Sequence, residues 1–187
     1  MARNAEETRR KLFDASVAEF AAHGIAGARV DRITATAGVN NALLYRYFGN
    51  KSELFDTVYG TLATRLVEAI PFTPDALPAY AGALADYYAQ HPEVLRLTAW
   101  HRLESGDRHL PEAIRTSQQD KIAQIEAAQA DNRLTTTYAA ADLLTMILSL
   151  AQLATDVAPP LPESMDRTTL AERKHTVVTA VTALLAG

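Results

Sequence analysis

The 187-residue chain has no cysteine, which excludes disulfide bonds and thiolate metal ligands and fits a reducing compartment. It has no run of about 18 uninterrupted apolar residues, so no membrane-spanning helix is expected. Its first residues, MARNAEETRRKLFDA, lack the apolar stretch of a signal peptide, and a cytoplasmic location is expected. It has no Asn-Gly or Asp-Gly hairpin turn and no sustained alternation of period two, so strands are not expected. The five histidines form no His-x-x-x-His. Glu172 and His175 make a single Glu-x-x-His, the spacing of di-metal helical bundles, but the further inward glutamates of such a site have no counterpart. There is neither a phosphate-cradling glycine loop nor a Gly-x-Ser-x-Gly elbow. No catalytic residue, metal ligand or cofactor is therefore assigned, and an enzyme is not expected.

What is present reads as helix and turn throughout. Hydrophobic residues make up 48% and charged residues 21%, ordinary for a folded chain of this length. The first helix is expected to start at Asn4, with Glu7 completing a capping box. Phe13, Val17 and Phe20 form its buried stripe, and His23-Gly24 its end. A short helix around Val30–Ala37, Gly38, and another short helix at about Asn41–Tyr47 follow. Asn50 and Glu53 cap a longer helix that reaches about Ile70, where Pro71 and Pro74 break it. Later helices are expected from Pro74 to about Gln90, Pro92 to about Ser105 and Pro111 to about Asp131. The last two are expected from Thr135 or Thr136 to about Val157, and from Ser164 to Leu185. The expectation is an all-α chain of about nine helices.

Charge is unevenly distributed. Residues 1–51 carry eight basic and five acidic side chains, a net +3; residues 52–187 carry ten and seventeen, a net −7. A basic N-terminal unit on an acidic body is the pattern of a nucleic-acid reader with a companion domain.

Two short helices joined by a glycine turn form a helix-turn-helix candidate at about 29–48. Ile33, Ala37, Val39, Leu44 and Phe48 are its expected internal core. That leaves Asn40, Asn41, Leu43, Arg46 and Tyr47 facing outward with Tyr45 near the edge. This mixture of amide, hydroxyl, cation and apolar groups suits a major-groove surface. Lys51 and the start of the following helix add a phosphate-binding corner.

The last two helices are apolar on more than one side: Leu143, Leu144, Met146, Ile147, Leu148, Leu150 and Leu153 in one, Val177, Val178, Val181, Leu184 and Leu185 in the other. Such helices need partners on several faces. A second copy of the chain, pairing through about 137–157 and 164–185 to form a four-helix interface, is favoured over burial within a monomer.

The stretch ARVDRITATAGVNNALLYRYFGNKSEL resembles the DNA-binding region of TetR-family transcriptional repressors. The resemblance lies in Val30, Ile33, Ala37-Gly38-Val39, Leu44-Tyr45, Phe48, Lys51 and Leu54, all in one register. It extends over about residues 5–65; HPEVLRLTAWHRLESGD is similar to one subgroup of the family's C-terminal bodies. The resemblance implies a helix-turn-helix domain at 1–50 and a ligand-binding and dimerisation domain at 51–187. It also implies a homodimer on double-stranded DNA that a small-molecule effector releases. By position it gives Tyr45 and Lys51 phosphate contacts. Arg29 stands where the family often has Thr or Ser, so it reaches a phosphate without capping a helix.

Asn40 is expected to be the N-cap of the recognition helix rather than a base reader. Asn41 is the better reader, since an amide can bond adenine N6 and N7 together. Leu43 can touch a thymine methyl, and Arg46 a guanine or a phosphate. Asp31 repels the DNA backbone unless Arg32 or Arg29 neutralises it or it reads a cytosine amine. For the effector, Tyr59, Tyr88, Trp100, His101, Gln118, Ile122, Leu148 and Gln152 offer aromatic walls with a few polar groups, suited to an amphipathic organic molecule, with Trp100 and Tyr88 foremost. The alternative is a helical interaction protein whose DNA-reading face has decayed.

Overall fold

A computed structural model describes residues 2–104, 110–155 and 169–186 of the chain. Among the described residues there are nine α-helices, two single 3-10 turns and no strand. No helix there is long and apolar enough to cross a membrane. Packing divides the chain into two compact units. One is Met1–Thr64 with Glu93–Pro111, the other Arg65–Pro92 with Glu112–Gly187.

The first unit holds α1 (Ala2–Gly27), α2 (Val30–Ala37), α3 (Asn41–Phe48), most of α4 (Lys51–Ala69) and nearly all of α6 (Pro92–Glu104). Helix α1 begins ahead of the expected cap, so Asn4 lies inside it, and Glu7 pairs with Lys11 at 3.0 Å instead of closing a capping box. Its buried face is Leu12, Ala15, Ser16 and Phe20, while Phe13 and Val17 are only half-buried. The small Ser16, its hydroxyl donating to the Leu12 carbonyl at 2.6 Å, turns the stripe away from the larger Phe13. The expected stop at Gly24 is a kink with φ 68° and ψ −172°. A side chain there would also collide, since its Cβ would lie 2.6 Å from Glu104 Oε1 and 2.8 Å from the Trp100 ring.

Phe20, Phe55, Tyr59 and His101 form the aromatic centre of this unit. Phe20 meets Phe55 edge-on at 5.2 Å. Each of the two fully buried phenylalanines contributes roughly 1.5–3 kcal/mol of apolar burial.

The second unit holds α5 (Leu77–Gln90), α7 (Glu112–Ala130), α8 (Ala140–Ala151) and α9 (Leu170–Leu185). Helix α5 packs against α8 and α9, and α7 against α8. At Gly82 α5 and α9 come close: a Cβ there would be 3.0 Å from Val178. Lys174 and Asp86 join the same two helices at 2.5 Å.

Three expected boundaries shift. Pro74 opens only a 3-10 turn, and α5 begins at Leu77 with Pro78 in its first turn. Helix α8 begins at Ala140 rather than Thr135 or Thr136. The Thr135 and Thr137 hydroxyls bond each other at 2.8 Å, and Gln129 holds the carbonyls of Thr135 and Tyr138, keeping this segment out of the helix. Helix α9 begins at Leu170, where Thr169 and Glu172 make a full capping box; Ser164, and the expected α8 end at Val157, lie outside the described residues.

Candidate nucleic-acid interface

Helices α2 and α3 have eight residues each, too short to hold together alone. They are fixed by Ile33, Ala37, Leu44 and Phe48, all buried, and by the turn between them. Gly38 sits at φ 69°, ψ 35°, the left-handed conformation, and its N–H and that of Val39 close α2 on the carbonyls of Ala35 and Thr34. A Cβ at Gly38 would meet nothing within 4 Å, so glycine is needed there for backbone conformation, not for space.

Both following caps match their sequence signals. Asn40 accepts the Leu43 N–H at 2.9 Å and is the N-cap of α3. Asn50 accepts the N–H groups of Ser52 and Glu53, and Glu53 returns a bond to the Asn50 N–H at 3.3 Å. Three orphan donors at the start of α4 are thus already satisfied, which leaves the Lys51 side chain as the cationic group of that corner. The Lys51 ammonium donates to the carbonyls of Ala26 and Ala28 at 3.2 and 3.1 Å, tying α4 to the end of α1 and the loop that follows it.

Arg29 makes no side-chain cap for α2. The missing acceptor comes from α1. Glu19 accepts the Arg29 backbone N–H at 2.8 Å and pairs with Arg32 at 2.5 Å. Burial alone would raise the Glu19 carboxyl, but the hydrogen bonds from Arg32 and Arg29 and the charges of Arg32 and His23 outweigh it and hold its pKa below the ordinary carboxylate value. Sequence reasoning passed over Glu19. The only signal for it was the uncapped start of α2, and nothing local pointed to an acceptor ten residues earlier.

On α3, Tyr45, expected near the edge of the outward face, is instead open to solvent at 49% exposure. Tyr45 and Arg46 are exposed, and Asn41, Leu43 and Tyr47 are half-exposed. Arg9 of α1 lies over the Phe48 ring at 5.9 Å. Asp31 is not neutralised by Arg32, which is turned to Glu19 and the Gly27 carbonyl. Instead Asp31 accepts the Asn41 amide N–H at 2.6 Å.

The eight effector candidates divide. Tyr59, Trp100 and His101 belong to the first unit, where the Tyr59 and His101 rings meet at a tilt with centroids 5.0 Å apart and the Trp100 indole donates to the Ala21 carbonyl. Burial raises the Tyr59 hydroxyl pKa, against the lowering effect of its Thr98 hydrogen bond. Tyr88, Gln118, Ile122, Leu148 and Gln152 belong to the second unit, Tyr88 buried and the others half-buried. A residue not foreseen is Lys121, 8% exposed, with its ammonium 5.6 and 5.8 Å from the Phe72 and Tyr80 ring centres. Burial lowers its pKa, offset in part by Asp120. Glu172 of the Glu-x-x-His pair is engaged by Thr169. Among the described residues no group of three potential metal ligands occurs.

Met146 and Leu150 of α8, Leu153 of the 3-10 turn Gln152–Ala154 and Ala180, Ala183 and Leu184 of α9 line an open apolar groove of about 680 Å³.

Two short helices on a glycine turn, packed on a third, define a helix-turn-helix protein. Residues 12–58 match the tetR family of bacterial regulatory proteins, and residues 76–182 match the tetracyclin repressor-like C-terminal domain. The chain belongs to the tetR family, and it is a DNA-binding transcriptional regulator, not an enzyme. It is 41% identical to the HTH-type transcriptional repressor SCO4008 of Streptomyces coelicolor over 155 residues, covering 82% of this chain and 81% of that one. It is 30% identical to the HTH-type transcriptional repressor NicS of Pseudomonas putida over 112 residues, 56% of this chain and 53% of that one. Among solved structures it is similar to SCO4942 of Streptomyces coelicolor, described as a transcriptional regulator, with a TM-score of 0.79 and 32% identity. That match covers 95% of this chain and 97% of the other.

Proposed function

We propose that the chain is one subunit of a cytoplasmic homodimeric repressor that binds a palindromic operator and releases it when a small organic effector binds. Residues 1–50, with Lys51 at the boundary, contact the DNA, and the rest of 51–187 binds the effector and the second subunit. The observation that carries the reading is the outward face of α3, with Asn41, Leu43, Tyr45, Arg46 and Tyr47 held by a buried Ile33, Ala37, Leu44 and Phe48 core. Asn41 and Arg46 supply base-edge hydrogen bonds, Leu43 an apolar contact, and Arg29, Tyr45, Tyr47 and Lys51 the phosphate contacts that set register. Asn40 contributes by capping α3.

The apolar groove of α8 and α9 supports pairing with a second copy, since a row of Met146, Leu150 and Leu153 open to water is unfavourable in a lone subunit. Two copies then place two recognition helices on half-sites about 34–36 Å apart, one helical turn of DNA. An effector that favours a wider spacing weakens operator binding by linkage. It would meet Tyr88, Gln118, Ile122, Leu148 and Gln152 in the helical body.

Stoichiometry tests the reading. Light scattering of the purified chain, alone and on a duplex recovered from random-sequence selection, is expected to give two chains per duplex and a twofold-symmetric site. A single chain on an asymmetric site would contradict it.

A further inference from the structure

We infer that Asp31 is a specificity-determining residue of the DNA-reading face, acting by fixing which way round the Asn41 amide is presented to a base. The inference rests on the DNA-binding reading above.

Asn41 is the first residue of α3, and α2 holds both ends of its amide. Its Nδ2 donates to Asp31 Oδ1 at 2.6 Å, and its Oδ1 receives the Thr34 hydroxyl at 2.5 Å. The two partners are not equivalent. A hydroxyl both donates and accepts, so Thr34 would satisfy either end of the amide. An ionised carboxylate only accepts, so Asp31 admits the NH2 end alone. Asp31 thereby removes the twofold ambiguity of the amide. Arg32 is committed to Glu19 and Gly27, and among the described residues neither it nor Arg29 forms an ion pair with Asp31.

Each end of the Asn41 amide keeps a second hydrogen-bonding position, one N–H and one lone pair. With the orientation fixed, the order of donor and acceptor toward the groove is fixed too. A donor beside an acceptor complements N7 and N6 of adenine. A carboxylate on a DNA-facing surface repels phosphates and weakens all binding. What it supplies in exchange is discrimination, which explains an acidic residue at this position.

The test uses competition binding by fluorescence anisotropy. Four duplexes differ only in the base pair whose preference depends on Asn41. Wild type is expected to discriminate at that pair by roughly 5- to 150-fold. Asp31→Asn keeps the shape and is expected to tighten all four duplexes while the preference collapses toward that of Asn41→Ala. Asp31→Glu keeps the charge but moves the carboxylate, and is expected to lose the preference without the uniform gain. In an Asn41→Ala background, Asp31→Asn should leave the ratios among the four unchanged.

Retention of the full preference by Asp31→Asn, with all four duplexes tightened alike, would reduce Asp31 to a bare charge and overturn the inference. A preference that survives Asn41→Ala but vanishes in Asp31→Asn would overturn it differently, by making Asp31 the base reader. If Asn41→Ala relaxes no position of a site that wild type does select, the inference fails while DNA binding stands. If wild type selects no sequence, the DNA-binding reading fails and takes the inference with it.

Discussion

The Trp100 indole N–H donates to the Ala21 carbonyl at 3.2 Å, one turn before the kink at Gly24. Glu104, on the same helix, accepts the N–H groups of Ile25 and Ala26 just beyond it, at 2.6 and 2.9 Å. Helix α6 therefore brackets the kink that ends the straight part of α1. Trp100→Phe keeps an aromatic side chain but removes the donor and the indole's five-membered ring. It is expected to cost more in urea denaturation than the about 0.5–1.5 kcal/mol net worth of one hydrogen bond, because packing is lost as well. Gly24→Ala should cost more, because it combines a positive φ with a Cβ at 2.6 Å from Glu104. Equal, negligible costs for both would show that the bracket is not stabilising.

Lys51→Ala is expected to have two effects. Binding to all DNA sequences should weaken alike, with the salt dependence of log K falling by about 0.9 for the lost phosphate contact. The thermal midpoint should fall as well, because the carbonyls of Ala26 and Ala28 lose their ammonium partner. Anisotropy titrations at several salt concentrations and thermal melting without DNA separate the two. A change in base preference would contradict the phosphate role.

The Glu19 carboxyl is held low by hydrogen bonds and charge, so it contributes stability that is present above its unfolded pKa and lost as pH falls through the folded one. Wild type should therefore lose stability at acid pH faster than Glu19→Gln does. Glu19→Gln should be modestly less stable at pH 7, where Arg32 keeps no anionic partner but remains open to solvent. Melting curves of both proteins from pH 3 to 7 should converge toward the acid end. Parallel curves across that range would contradict the assignment.

Leu150→Glu places a charge in the α8 and α9 groove. It is expected to give monomers in light scattering and to abolish tight operator binding, while the helical circular-dichroism signal persists. A dimer of unchanged affinity would move the pairing surface elsewhere.

Lys121 has no carboxylate partner within ion-pair distance among the described residues, only the Ser117 hydroxyl and two aromatic rings. Its folded pKa is depressed, so the cost of burying the charged form is fully present below the folded pKa and disappears above the unfolded one, near about 10.4. Lys121→Met should raise the thermal midpoint at pH 7, and the gain should narrow by about pH 10.5. A gain independent of pH would point to packing alone.

The helix-turn-helix was legible because its signals are local. Gly38 must take a left-handed turn, and Asn40 and Asn50 cap through backbone groups two or three residues away. Where the deciding partner is distant, the sequence was silent. The start of α8 depends on Gln129, the capping of α2 on Glu19, and the partner of Asp31 on the way α3 packs against α2. The effector candidates show the same limit. Tyr59, His101 and Trp100 have the composition of a ligand wall, and the first two are also buried against each other in the first unit while the third ties α6 to α1. Aromatic residues at helical spacing do not reveal which of these roles they serve.

On the proposed function, this chain reads DNA sequence as a dimer. The most direct test of this is selection of a random double-stranded pool on the purified full-length protein, followed by sequencing. The account predicts enrichment of a palindrome whose half-site centres lie about one helical turn apart. Binding without any enriched sequence, from protein shown by mass spectrometry to carry no co-purified small molecule, would contradict it and leave a helical protein whose reading face has decayed.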